Sequence, residues 1–325
     1  MAIARPRTPG VPAPDSAPTA GATPARSAAP RPARRRRIRP LTTLAAGLGL
    51  AAGSLGLWSA GGSAAADTAA GLPAPDHVVV VVLENHAYSQ VIGSPDAPYI
   101  NDTLVAGGAQ LTQSHALTHP SQPNYYALFS GSTQGIVDDS CVHVGALQAP
   151  NLASELLAAG QTWASYNEGL PQQGATDCRV DNYAQKHNPW FGFGNVPTGS
   201  ANTMDAFPTD FSTLPKVSFV VPDLCDDMHD CSVGTGDSWL QSNLDAYAQW
   251  AKSNNSLLVV TFDENDGMAG NRIPTLLYGA HVTPGSSTAT TYSHYDVLHT
   301  LEDLAGLDTH AGNSAGATDI TGIWN

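Results

Sequence analysis

The chain has 325 residues, with 14 Lys and Arg against 28 Asp and Glu and a formal net charge of −14. Nine of the cationic residues but only Asp15 among the acids precede residue 67, so positions 67–325 keep five cationic side chains against 27 acidic ones, a net −22. Such a surface repels nucleic acid and anionic lipid, which excludes a nucleic-acid partner or stable membrane association; any phosphate handled here must be drawn in by local positive charge, most simply a metal ion.

Residues 1–66 read as an export segment rather than part of a packed domain. A Pro- and Ala-rich stretch (1–30) is followed by the basic "RPARRRRIRP" (31–40), the apolar "LTTLAAGLGLAAGSLGLW" and the small residues of "GGSAAAD" before a cleavage ahead of Asp67. That order is expected of a secretory signal. An uncleaved anchor fits less well, because the apolar run is rich in Gly and Ala and short for a span. The paired arginines leave twin-arginine export open beside the general route. Residues 67–325 are expected to form a single domain. Cys141, Cys178, Cys225 and Cys231 all fall within it. An even count in an exported chain argues for two disulfides out of three possible pairings, with Cys225–Cys231 favoured by proximity and Cys141–Cys178 as its complement. Zinc ligation is the competing reading, but no CxxC spacing supports it.

In chain order, the strand-like "HVVVVVLE" (77–84) ends in Glu84 and Asn85, and "YINDTLVAGG" reads as a helix. In "THPSQPNYYALFSG" (118–131), Ser121 stands where a helix N-cap belongs, with Pro123 in the first turn. Capping alone accounts for Ser121 but leaves His119 and Asn124 unexplained. Beside a metal that lowers its pKa, the same hydroxyl would be a nucleophile; helix-terminal amides would hold the incoming anion, and Asn124 would donate its amide to a phosphoryl oxygen. After the helix "NLASELLAAG" and the strand "TWASYN" (162–167), a Pro- and Gly-rich loop (168–216) carries His187, within reach of a phosphate, with Lys186 beside it. Trp190 and Phe191 in that loop would contact a leaving group or simply pack. The strand "VSFVV" (217–221) runs into "PDLCDDMHD", which delivers Asp223, Asp226, Asp227, His229 and Asp230. Asp237 is expected to cap the helix "DSWLQSNLDAYAQWAKS". "SLLVVTF" (256–262) ends in Asp263 and Glu264, a loop (265–291) surrounds the strand "IPTLLYG" (273–279), and "HYDVLHTLEDLAGL" begins with His294. His86, His143 and His281 lack motif context and read as surface or core residues.

Continuous apolar strands alternating with helices imply an α/β fold, a mostly parallel sheet sandwiched by helices. In such sheets the site lies beyond the carboxyl ends of the strands. Any one acidic cluster there would pass as solvated loop or caps. Three clusters at one edge repel one another unless a cation neutralises them, so a divalent metal is the economical reading.

The set "LENHAY", "HPSQPNYYALFSG", "HNPWFGF", "PDLCDDMHDC", "GDSWL", "VTFDEND" and "YSHYDVLHTLEDLAGL", running in order from about 78 to 307, resembles the phosphoesterase family of secreted acid phosphatases and bacterial phospholipases C, within the alkaline phosphatase superfamily. "SQPNYYALFSG" also resembles the nucleophile segment of nucleotide pyrophosphatases, with Ser121 in place of their threonine. The resemblance implies an alkaline-phosphatase-like three-layer sandwich and a metal held by Glu84, Asn85, the oxygen of Ser121, Asp263 and Glu264. Ser121 would be the phosphorylated nucleophile. His229 and His294, with Asp227, would lie where relatives bind a second metal or the transferring phosphoryl group. Typical alkaline phosphatases have "DH" where this chain has "DE", and an aspartate where it has Glu84 and Asn85; the oxygen-rich set favours Ca²⁺, Mg²⁺ or Mn²⁺ over Zn²⁺. The expected protein is thus a secreted, monomeric, metal-dependent acid phosphatase acting on small phosphomonoesters, with His229 and His294 as proton shuttles near their natural pKa, His119, Asn124, His187 and Asp227 around the substrate, and an acidic optimum. Two alternatives stand beside it: a phospholipase C-type phosphodiesterase, and a non-catalytic exported protein that binds metal or phosphate without turnover.

Overall fold

A computed structural model of the protein describes residues 71–268 and 270–325; the expected export segment, residues 1–66, lies outside the described residues. β1 (His77–Leu83) owes its five consecutive valines to burial on both faces. Val78, Val80 and Val82 enter one hydrophobic cluster, while Val79, Val81 and Leu83 enter the other. A strand with no wet face needs no polar alternation. β7 (Val217–Val221) and β8 (Ser256–Phe262) flank β1 in parallel. Beyond β7 lie β3 (Trp163–Asn167) and β6 (Ala201–Thr203), also parallel. Beyond β8 come β10 (Thr275–Gly279), antiparallel to it, then β2 (Ala109–His115), antiparallel to β10, and β11 (Ser286–Ser293), parallel to β2. β9 (Arg272–Ile273) pairs with β2, and β4 (Arg179–Val180) with β5 (Tyr183–Ala184) makes a separate hairpin. The order is β11-β2-β10-β8-β1-β7-β3-β6.

α2 (Ser121–Ser130), α3 (Leu152–Ala158) and α5 (His294–Leu304) cover the Val78 face, and α4 (Val233–Ala251) covers the other, together with the π-helical turn Ile100–Val105. α1 (Tyr88–Val91) is a single turn after β1. The α/β three-layer sandwich with a mostly parallel sheet is the expected fold. β11 falls largely within the expected loop 265–291, and β2 was not among the expected strands; their sequences "AQLTQSH" and "SSTATTYS" are polar because they lie toward one edge, where one face stays wet. Among the described residues no helix is long and apolar enough to cross a membrane. Both favoured disulfides are present, Cys141–Cys178 and Cys225–Cys231, with Cα separations of 5.7 and 4.7 Å.

Asp237 departs from expectation. Ser232 caps α4, accepting from the Thr235 N–H, so the helix starts earlier and Asp237 lies inside it. Its buried carboxylate instead accepts the Tyr99 and Ile100 N–H groups at 3.0 and 2.8 Å, capping the π-helical turn from across the interface. Asp237→Ala strands those two donors, and a loss of roughly 1–3 kcal/mol is expected in urea unfolding.

Candidate active site

Because β8, β1 and β7 are adjacent and parallel, the residues that follow them emerge side by side. Two backbone bonds extend the ladder past the strands: Asp263 N–H donates to the Leu83 carbonyl (3.0 Å) and Glu84 N–H to the Asp227 carbonyl (2.8 Å). Asn85 then turns the chain with φ 50°, a left-handed conformation that Asn tolerates better than most residues. Its N–H donates to Asp263 Oδ1 at 3.3 Å.

Ser121 arrives from the opposite side as the first residue of α2. The N-cap position belongs to Pro120, which has no side chain able to cap, and the Ser121 hydroxyl bonds side-chain oxygens rather than a helix amide, so it is not used for capping. Its Oγ lies 2.9 Å from Glu84 Oε2, 3.3 Å from Asn85 Oδ1 and 3.3 Å from Glu264 Oε1. One hydroxyl has one proton to give. Three acceptor oxygens around it therefore leave lone pairs facing one another. Burial, with Glu84 and Glu264 close by, pushes Asp263 well above the usual carboxylate range, and burial and Glu84 push Glu264 up to about 8. Asp263 Oδ2 is buried with no hydrogen-bonding partner among the described residues. Convergent oxygen donors with uncompensated charge suit a hard divalent cation, so Glu84, Asn85, Ser121 Oγ, Asp263 and Glu264 fit as its holders.

The other side of Glu84 is neutralised by protein. His187 bridges two buried carboxylates, Nε2 at 3.0 Å from Glu84 Oε1 and Nδ1 at 3.1 Å from Asp227 Oδ2. Burial alone would lower its pKa, but the two carboxylates outweigh it and raise it to about 9. Burial would likewise raise Glu84, yet His187 and Lys186 hold it below the usual carboxylate range. Burial lifts Asp227 to about 6 despite His187. The Tyr125 hydroxyl donates to Glu84 Oε1, and its ring stacks on His187 at 5.0 Å and 8°.

Four expected roles change. His187 is only 1% exposed and has both nitrogens on carboxylates, so it orients Glu84 rather than reaching a phosphate. Asp227, fully buried, holds His187 and accepts the His229 N–H at 2.8 Å, so it too is a positioning residue. Asn124 is committed to its own loop: Oδ1 accepts from Leu117 and Thr118 N–H, and the NH₂ donates to the Thr118 and Pro120 carbonyls, which leaves no donor for a phosphoryl oxygen. His294 is buried, and burial pushes its pKa down to about 4, far from a proton shuttle's natural range. Its Nε2–H donates to the Asp263 carbonyl at 2.6 Å; Nδ1 therefore carries a lone pair, without a partner among the described residues. His119 and His229 stay at the mouth. His119 Nδ1 meets Glu264 Oε2 at 2.5 Å, and His229 Nδ1 meets Asp230 Oδ1 at 2.7 Å.

The sequence model of the Phosphoesterase family matches residues 94–308. The chain belongs to this family. It is 49% identical over 293 residues to a phosphatidylinositol-3-phosphatase of Mycobacterium tuberculosis, covering 88% of this chain and 96% of that one. It is 29% identical over 277 residues to a probable acid phosphatase of Kluyveromyces lactis, covering 75% of this chain and 63% of the relative. Among solved structures it is similar to an alkaline phosphatase superfamily protein from Vibrio parahaemolyticus (TM-score 0.52, 14% identity, 74% and 69% of the two chains) and to the phosphonate monoester hydrolase of Agrobacterium radiobacter (TM-score 0.50, 14% identity, 76% of each). At such identities these two show the fold alone. The family and the phosphatase relatives make this chain a phosphoric ester hydrolase.

Two site residues of this phosphoesterase had no role in the sequence reading, and Lys186 had none beyond its charge. Tyr125 lies four residues after Ser121, hence on the same helix face, and that spacing is the signal for it. Lys186 Nζ contacts Asp139 Oδ2 (3.1 Å) and His229 Nε2 (3.3 Å). Asp139 Oδ1 also accepts the Gln122 N–H at 3.0 Å, so an amide expected to hold an anion is already engaged by a carboxylate of the same chain. Asp139 stands in no motif. Its loop is tethered by the neighbouring Cys141–Cys178 bridge, a contact between distant segments. In the phosphoesterase, His187→Ala leaves Glu84 and Asp227 buried without their shared partner; a stability loss of roughly 3–5 kcal/mol is expected in chemical denaturation.

Proposed function

We propose that the protein is an exported, divalent-metal-dependent phosphomonoesterase in which Ser121 accepts the phosphoryl group. The observation that carries this reading is the Ser121 hydroxyl: it opens a helix without capping it and lies within 3.3 Å of three oxygens from two different strand ends. Glu84, Asn85, Asp263, Glu264 and Ser121 Oγ would hold the cation. The ion supplies two things when bound, a lowered hydroxyl pKa and compensation of charge on the phosphoryl oxygens.

The chain's own residues do the rest. Lys186 is the cation nearest the mouth, 14% exposed through its side chain, and attracts the phosphate dianion into an otherwise acidic surface. Ser121 Oγ attacks phosphorus, the bond to the alcohol oxygen breaks, and a phosphoserine forms. Water then cleaves the phosphoserine and regenerates the hydroxyl. His229 would accept that water's proton at Nε2, the nitrogen facing Lys186 at 3.3 Å, once the Lys186 ammonium engages the phosphate, with Nδ1–H facing Asp230. His187, clamped by Glu84 and Asp227, keeps Glu84 aimed at Ser121. Two disulfides support passage through an oxidising compartment, consistent with reading residues 1–66 as a secretion signal.

The relatives' names favour a monoester over a phospholipase C diester, since all carry phosphatase names. One acts by name on phosphatidylinositol 3-phosphate, whose 3-phosphate is itself a monoester. That headgroup and small phosphomonoesters are therefore the substrate class proposed here. Ser121→Ala is expected to lose at least about 10³-fold in turnover of p-nitrophenyl phosphate and phosphatidylinositol 3-phosphate, and wild type to leave phosphatidylcholine intact. Retained turnover in the variant would refute the nucleophile; cleavage of phosphatidylcholine would favour the diesterase. Exhaustive chelation should abolish hydrolysis, and Mg²⁺, Mn²⁺ or Ca²⁺ should restore it. A metal-free enzyme that keeps full rate would contradict the cation's role.

A further inference from the structure

A second group of metal-donor side chains lies toward the end of α5, away from His294 at its start. His299 and Asp303 stand one helical turn apart on a single face, with His299 Nε2 3.5 Å from Asp303 Oδ2. The chain after the helix returns His310, whose Nε2 is 2.8 Å from Asp303 Oδ1. The C-terminal segment adds Asp319, with Oδ1 4.0 Å from His299 Nε2. One donor atom each from His299, Asp303 and His310 falls within 4.8 Å of the others. Ligands bound at roughly 2.0–2.2 Å in a tetrahedron are about 3.4 Å apart, inside the range of these separations.

Two further observations distinguish this cluster from an incidental one. His299 Nδ1 is 2.8 Å from the Ser314 carbonyl. A carbonyl only accepts, so Nδ1 carries a proton, which leaves Nε2, turned toward Asp303 and Asp319, as the nitrogen able to bind a metal, the outer-shell arrangement that orients metal-bound imidazoles. Asp319 is half-buried, and its Oδ1, shielded from solvent, has no hydrogen-bonding partner among the described residues. The His299 and His310 rings are stacked at 4.2 Å and 14°, which brings the two imidazoles side by side at the cluster. One divalent ion meets both nitrogens and the carboxylates together. Two imidazoles and two carboxylates form a mixed nitrogen and oxygen set that suits Zn²⁺, unlike the oxygen-rich set at Ser121.

We propose that His299, Asp303, His310 and Asp319 form a zinc site that fastens the C-terminal segment to α5. The segment already lies along that helix, with Thr318 N–H on Asp296 Oδ1 (3.0 Å) and Ile320 N–H on Thr300 Oγ1 (2.9 Å). Zinc closes the same seam at the helix's far end. The test titrates the chelator-stripped full chain with Zn²⁺ and compares it with the His299→Ala/His310→Ala double variant. Wild type should take up one more Zn²⁺ and gain about 3 °C or more in Tm over the variant's response. Equal zinc uptake and equal thermal response would overturn the proposal. Should the double variant fail to fold, crystals of the unmodified chain soaked in Zn²⁺ decide: an anomalous peak between His299, Asp303 and His310 supports the site, and none there refutes it.

Discussion

Four carboxyl groups, Glu84, Asp227, Asp263 and Glu264, are removed from water at the ends of three neighbouring strands, each at most 5% exposed. Burying a carboxylate is costly unless it is paired or hydrogen-bonded, and four close together raise one another's cost. The surrounding groups divide that charge. His187 stands between Glu84 and Asp227 with Tyr125 adding a hydrogen bond, so that half is balanced by the protein itself. Around Ser121, the Asp263 and Glu264 half has His119 at its rim and an unpartnered Asp263 oxygen at its base. That asymmetry is the basis for the cation proposed at Ser121.

The fold makes such a concentration of charge tolerable by making the strands beneath it apolar throughout. Both faces of β1 are sealed by the two hydrophobic clusters, and β7 and β8 pair with it along most of its length. The backbone bonds of Glu84 and Asp263 continue this ladder into the loops, so the acidic residues inherit the rigidity of the sheet. Loops without such support are tied by other means. Cys225–Cys231 closes the turn that carries Asp227 and His229, and Cys141–Cys178 tethers the segment bearing Asp139.

The arrangement also separates two kinds of histidine. His187 and His294 are both buried, and their pKa values move in opposite directions: the two carboxylates beside His187 raise it, while burial lowers His294, whose one bond is to a carbonyl. His119 and His229 are partly exposed, each beside a carboxylate. Of the five Lys and Arg beyond residue 66, Lys186 is the one that contacts Asp139 and His229 beside the site.

Local pattern in the amino-acid order was enough to indicate the buried central strands and the α/β class, because continuous apolar runs are visible along one dimension; the even cysteine count and the closeness of Cys225 to Cys231 favoured the pairing found, and the candidate set Glu84, Asn85, Ser121, Asp263 and Glu264 was implied by the family resemblance. Polar edge strands such as β11 escaped, since a strand with one wet face has no continuous apolar run. Only the tertiary structure decided what each donor atom meets. Asn124, Asp237 and His187 each carry groups able to serve a ligand, yet they are consumed by loop amides, by another helix's start and by two carboxylates. The partners of Asp237 and His187 lie tens to more than a hundred positions away and are set by how the layers pack, while those of Asn124 are a few residues away but depend on how its loop folds back; sequence spacing holds no record of either.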